Sequence, residues 1–69
     1  MPLSFAKRGV ANSIKRIAGK EDTKTRLEKL GFTVGSGVTV VSELAGSLIV
    51  NVRDSRIAIS RDMANKILI

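Results

Sequence analysis

The 69-residue chain contains no cysteine, histidine, tryptophan or tyrosine. Lacking cysteine, it can build no disulfide framework, no iron–sulfur cluster and no thiol nucleophile. Lacking histidine, it loses the usual zinc donor sets and the Ser-His-Asp and Cys-His systems. It also loses the side chain whose ordinary pKa suits proton transfer near neutrality. Only two aromatics remain, Phe5 and Phe32, too few for the stacking platforms that hold single-stranded nucleic acid. No segment approaches the ~20 consecutive apolar residues of a membrane span. Lys7 and Arg8 follow only Leu3, Phe5 and Ala6, and polar Asn12, Ser13 and Lys15 come soon after, which is not the layout of a secretory signal. The expected compartment is the cytoplasm.

Acidic residues are also scarce, six against twelve Lys and Arg, for a net charge of +6. The six carboxylates are scattered, and only Glu21 and Asp22 adjoin. Neighbours on a helix do not face one another, so that pair complements a helix dipole rather than chelating a cation. Ferrous iron favours sites with some imidazole or thiolate, and none exists here. No metal-ligating residues, no catalytic residues and no cofactor are therefore expected. Ser60 and Lys66 are present but form no distinctive nucleophile pair.

The apolar content of 43% supports a real core, so residues 1–69 read as one small domain. A helix is predicted near residues 22–30, with Asp22 or Thr23 as its cap and Leu27 and Leu30 on one face. Lys24 and Glu28 are spaced as an i, i+4 pair. Gly31 stops the helix, and Phe32 then falls where a Schellman motif packs back on Leu27. The remainder reads as strands: Asn12–Ile17, where Ile14 and Ile17 break alternation and call for a bulge, then Val38–Glu43, Leu48–Arg53, Arg56–Ser60 and Ile67–Ile69. Leu44–Ser47 and Asp54–Ser55 are short enough to be hairpin connections, and Asp62–Lys66 fits one helical turn. The fold class is all-β with one short helix inserted, a small β-barrel of about five strands, since closure removes exposed edges.

Gly31, Gly35 and Gly37 mimic a phosphate loop, but the helix precedes them and a strand follows, the reverse of either nucleotide motif. They read as a helix stop and a turn. Val50, Ile57 and Ile59 are expected inward, with Ile49, Val41 and Ala58 facing away and covered by the helix or the N-terminal segment. The contrasting arrangement is an exposed apolar docking patch rimmed by basic residues. The tail Ile67–Ile69 can pair with its own sheet or with a second chain, which leaves the oligomeric state open.

Charge is uneven. Residues 1–29 carry eight basic and three acidic side chains, and residues 30–69 carry four and three. Such asymmetry points to an anionic partner or simply to solubility. The candidate partner-binding residues are Lys24, Arg26 and Lys29 on the helix, with Lys15 and Arg16 as a second cluster. Phosphate contacts without sequence specificity fit the charge; specific nucleic-acid recognition is not expected.

Several blocks together resemble the ferrous iron transport protein A (FeoA) family. They are Met1-Pro2-Leu3-Ser4, Ile14-Lys15-Arg16-Ile17-Ala18-Gly19, Thr25 to Phe32 with Gly35 and Val38-Thr39-Val40, Leu48 to Val52, and Arg56 to Arg61 with Ala64. The similarity runs through the whole chain in order. The chain departs from the family pattern at Val34, where Pro is usual, and at Gly37, where a non-Gly residue is common. The resemblance implies an SH3-like barrel and a non-enzymatic accessory protein of bacterial ferrous iron uptake. Its implied partner is the membrane transporter, ferrous iron transport protein B (FeoB), through either its cytoplasmic GTP-binding domain or its membrane core, with weak peripheral contact at the inner face of the membrane. "Transition metal ion binding", often attached to the family, finds little support in the ligand inventory. The alternative is an SH3-like regulatory module acting with an iron-dependent repressor or nucleic acid.

Overall fold

In the computed structural model, which describes all 69 residues, a 3-10 turn at Leu3–Phe5 leads into β1 (Ala11–Ser13) and β2 (Arg16–Ile17). There follow α1 (Glu21–Lys29), β3 (Gly37–Leu44), β4 (Ser47–Val52), β5 (Ser55–Ser60), α2 (Arg61–Ala64) and β6 (Ile67–Leu68). All pairing is antiparallel. One sheet runs β1-β3-β4-β5 and a two-stranded sheet joins β2 to β6. The two enclose a barrel that no continuous ring of hydrogen bonds closes, because β5 pairs with β4 alone.

The single strand expected over Asn12–Ile17 is two strands in different sheets. Ile14 and Ile17 are both buried, and residues three apart cannot both face inward on one straight strand. The chain turns a corner between them. The Ile14 N–H donates to Ser36 O at 2.9 Å, the Lys15 N–H donates to Leu68 O at 2.8 Å, and β2 lies against β6. The strand count is six rather than five. The tail pairs within its own chain on both sides. Leu68 opposes Arg16 on one side and bridges Pro2 on the other, and the Ile69 N–H donates to Met1 O at 2.7 Å.

The helix begins one residue before the predicted start. Lys20 is its N-cap and makes no side-chain cap hydrogen bond, so neither Asp22 nor Thr23 caps it. Glu21 and Asp22 instead occupy the first turn, where negative charge complements the dipole. At the other end the Phe32 N–H donates to Leu27 O and the Gly31 N–H to Glu28 O, both at 3.0 Å. These are the two bonds of a Schellman motif, with Gly31 at φ +105°. Phe32 and Leu27 are both fully buried in one cluster. Leu30, expected beside Leu27, is instead 40% exposed at the C-cap.

Both hairpins have two-residue loops with positive φ at both positions, Ala45-Gly46 and Arg53-Asp54. That is the type I′ geometry whose twist matches the strands. The second turn therefore sits one residue earlier than predicted, and Arg53 belongs to the turn rather than to β4. After Gly31, Thr33 to Ser36 make a further turn, with the Ser36 N–H donating to Thr33 O at 3.0 Å and Gly35 at φ +91°.

Fourteen apolar residues form the core and no polar or charged side chain is buried. Val38 and Val40, then Leu48, Val50 and Val52, then Ile59 face inward along β3, β4 and β5. Ile57 packs against this core partly buried. The expected bulge falls in β3 rather than in the first strand. Val40 opposes Val50 and Ser42 opposes Ile49, which leaves Val41 as the extra residue. Two residues then share one side of the strand, and alternation downstream is reversed. Leu44 turns outward and is 68% exposed, while Glu43 comes to the side of Leu48 and pairs with Arg61.

Candidate functional site

With no polar group in the core, any site must lie on the surface. An open depression of about 340 Å3 lies along α1, lined by Asp22, Thr25, Arg26 and Lys29. These four share the outward face of the helix at i, i+3, i+4 and i+7. The lining contains no apolar side chain, unlike the mostly apolar pockets that enclose small molecules. No group of three or more Asp or Glu side chains comes together to hold a metal ion. Ser60 is the N-cap of α2, and its Oγ accepts from the Met63 N–H at 3.2 Å. The stem of Lys66 lies over Gly19, where an added Cβ would meet its Cδ at 3.4 Å. Both candidates for Ser/Lys chemistry thus have local structural roles.

The five predicted basic residues do not form one patch. Arg26 and Lys29 stand together on the outward face of α1, both exposed. Lys24, two residues from Arg26 and so about 200° around the helix, is half-buried on another flank. Its expected pairing with Glu28 is not made, since Glu43–Arg61 is the sole ion pair of the molecule. Arg16 in β2 and Lys15 just before it are both exposed. None of the five makes an ion pair, although Asp22 lines the same depression as Arg26 and Lys29.

A second surface is apolar. Cross-strand partners share a side of the sheet, so Ala11 with Thr39, Ser42 and Val41 with Ile49, and Ile49 with Ala58 stand on the outer face. The expected cover is absent: Val41 is 37% exposed, Ala58 is exposed and Ile49 is half-buried. The reason lies in α1, which buries only Leu27 and so has no second apolar residue with which to cover another layer. Sequence reasoning also missed Leu44, because the bulge that turns it outward lies inside an uninterrupted β-branched run, Val38 to Val41. No helix is long and apolar enough to cross a membrane.

The profile of the FeoA domain matches residues 1–69. The chain belongs to the FeoA family. A Methanocaldococcus jannaschii protein named as an Fe(2+) transport protein A is 35% identical over 68 residues, covering 99% of this chain and 83% of that one. A crystal structure of an iron uptake regulatory protein, FeoA, superposes with a TM-score of 0.88 at 28% identity, over 97% of this chain and 91% of that chain. Stenotrophomonas maltophilia FeoA, crystallised with zinc and described as a prokaryotic SH3 domain protein, superposes at 0.85 and 23% identity, over 99% and 87% of the two chains. The fold is thus SH3-like, and the family ties this FeoA chain to ferrous iron transport in an accessory capacity. A manganese-dependent transcriptional repressor contains the same fold, with a TM-score of 0.86 at 18% identity, but this chain covers only 39% of it. That likeness is one of fold alone.

Proposed function

We propose that this FeoA protein is a non-enzymatic module of the cytoplasm that docks on the cytoplasmic side of the ferrous iron transporter FeoB and supports iron uptake. The observation that carries the reading is that a ferrous iron transport domain leaves eleven of its twelve Lys and Arg side chains without an ion-pair partner, Lys15, Arg16, Lys24, Arg26 and Lys29 among them, and one sheet face uncovered. Free cations on α1 and β2 would steer the protein toward an acidic surface on the transporter beside the inner leaflet, raising the rate of encounter more than the final affinity. Arg26 and Lys29 make one contact region and Lys15 and Arg16 another, with Lys24 contributing from the flank. The repressor-partner alternative has no comparable support, because it rests on fold likeness alone.

The test is ferrous iron uptake by cells lacking this gene. Wild-type protein should restore uptake. The combined reversal Lys15→Glu, Arg16→Glu, Arg26→Glu and Lys29→Glu, shown to be folded, should restore markedly less. Full restoration by the reversed protein would remove electrostatic steering from the account.

A further inference from the structure

β5 is a six-residue edge strand that pairs with β4 alone and leaves the barrel open along its other side. A two-residue hairpin closes on a pair that exchanges both backbone bonds, and along the strand such pairs alternate with non-bonded ones. The closing pair is Val52–Ser55. Ser55, Ile57 and Ile59 therefore bond β4, while the N–H and C=O of Arg56 and Ala58 point away from the sheet. Neither residue makes any backbone bond outside the β4 ladder.

Proteins usually blunt such edges with lysine, proline, a bulge or a covering segment. β5 has no proline, bulge or covering segment and only one charged side chain, Arg56, while Ser55, Ala58 and Ser60 are small and exposed. The opposite edge, β1, is only three residues long, and the Asn12 side chain folds back on Val10 O. Beside β5, Ile57 is only partly buried at the open seam, and Ala58 stands on the outer face, on the same side of the strand as Arg56. Arg56 is the sole charge on the strand and has no ion-pair partner.

We propose that β5 takes an added strand from its partner: an extended segment that bonds the free backbone groups of Arg56 and Ala58, covers Ile57 with an apolar side chain, and places a carboxylate on Arg56. This rests on the docking reading above and gives that contact a place and a form. Backbone bonds supply affinity in such additions, and alternate side chains supply specificity. A second copy of the chain fits less well. Pairing β5 with β5 about Ala58 joins two molecules of net charge +6 and sets Arg56 against Ser60 rather than a carboxylate.

The experiment uses the full-length ferrous iron transporter of the same organism in nanodiscs, with binding and backbone hydrogen exchange followed together. Ala58→Pro removes only the outward N–H, a placement that edge strands tolerate, and Ala58→Thr keeps it. The expected result is slowed exchange over residues 55–60 on adding transporter, a loss of affinity of at least about tenfold for Ala58→Pro and for Arg56→Glu, and little change for Ala58→Thr. Should Ala58→Pro fail to fold, the wild-type exchange pattern and Arg56→Glu decide. Undiminished binding of Arg56→Glu and folded Ala58→Pro, with protection confined to α1 or to Lys15 and Arg16, overturns the strand addition and leaves docking intact. Protection of residues 55–60 that rises with protein concentration and needs no transporter assigns the edge to a second copy and also overturns it. Absence of transporter binding by every variant overturns the docking reading and the inference with it.

Discussion

Val34 holds a position where proline would serve better. It is 67% exposed, its N–H donates to nothing, and it precedes Gly35 at φ +91° in the turn Thr33–Ser36. Proline is common at that second place of a type II turn, before a glycine with positive φ. Val34→Pro is expected to raise stability by about 0.4–1 kcal/mol, chiefly by restricting the unfolded chain, as read by urea denaturation. Gly31 has no such latitude. At φ +105° it closes the Schellman motif, and an added Cβ would come to 3.4 Å from the Arg53 side chain. Gly31→Ala should cost more than about 1 kcal/mol by the same measurement. Gly31 was legible as a helix stop from its neighbours Leu30 and Phe32. Arg53 was not legible as a turn residue, because a positive φ at arginine leaves no mark in composition; its φ of 50° is imposed by the two-residue hairpin.

The paired strands β3, β4 and β5 hold one another closely, whereas α1 is only loosely attached. Its nine residues bury Leu27 alone, in the cluster that also holds Phe32. Leu27→Ala should cost about 2–5 kcal/mol, a large part of the roughly 3–10 kcal/mol expected for a domain this size. Exchange protection over residues 21–29 should fall before that of β3 and β4. Equal loss everywhere would show α1 to be inseparable from the sheet. Strand β3 was readable from its β-branched residues, and β4 and β5 because Leu48/Val50/Val52 and Ile57/Ile59 alternate. The division of Asn12–Ile17 was half readable: the wrong spacing of Ile14 and Ile17 was visible, but a corner and a bulge both cure it, and only pairing with distant β6 decides. The bulge at Val41 was hidden because β-branched residues fill both faces there. Separation of Lys24 from Arg26 and Lys29 was available from helical geometry alone, at ~100° per residue.

At the scale of the molecule, charge and apolar surface are divided between different faces. The candidate cations stand on α1 and beside the two-stranded sheet; the outer face of the four-stranded sheet carries Val41, Leu44, Ile49 and Ala58, with Arg56 as the charge beside them. Local patterns revealed the charge but not the open edge of β5, since an unpaired strand is a property of the whole sheet order. Under the proposed docking, the cations would govern encounter and the sheet would govern residence. The decisive measurement is binding of this protein to the full-length ferrous iron transporter in nanodiscs, from low salt to above the ~0.15 M of physiological ionic strength. Saturable binding that persists at physiological salt and weakens as salt rises is the predicted result. No binding at any ionic strength, with both proteins folded, would contradict the account.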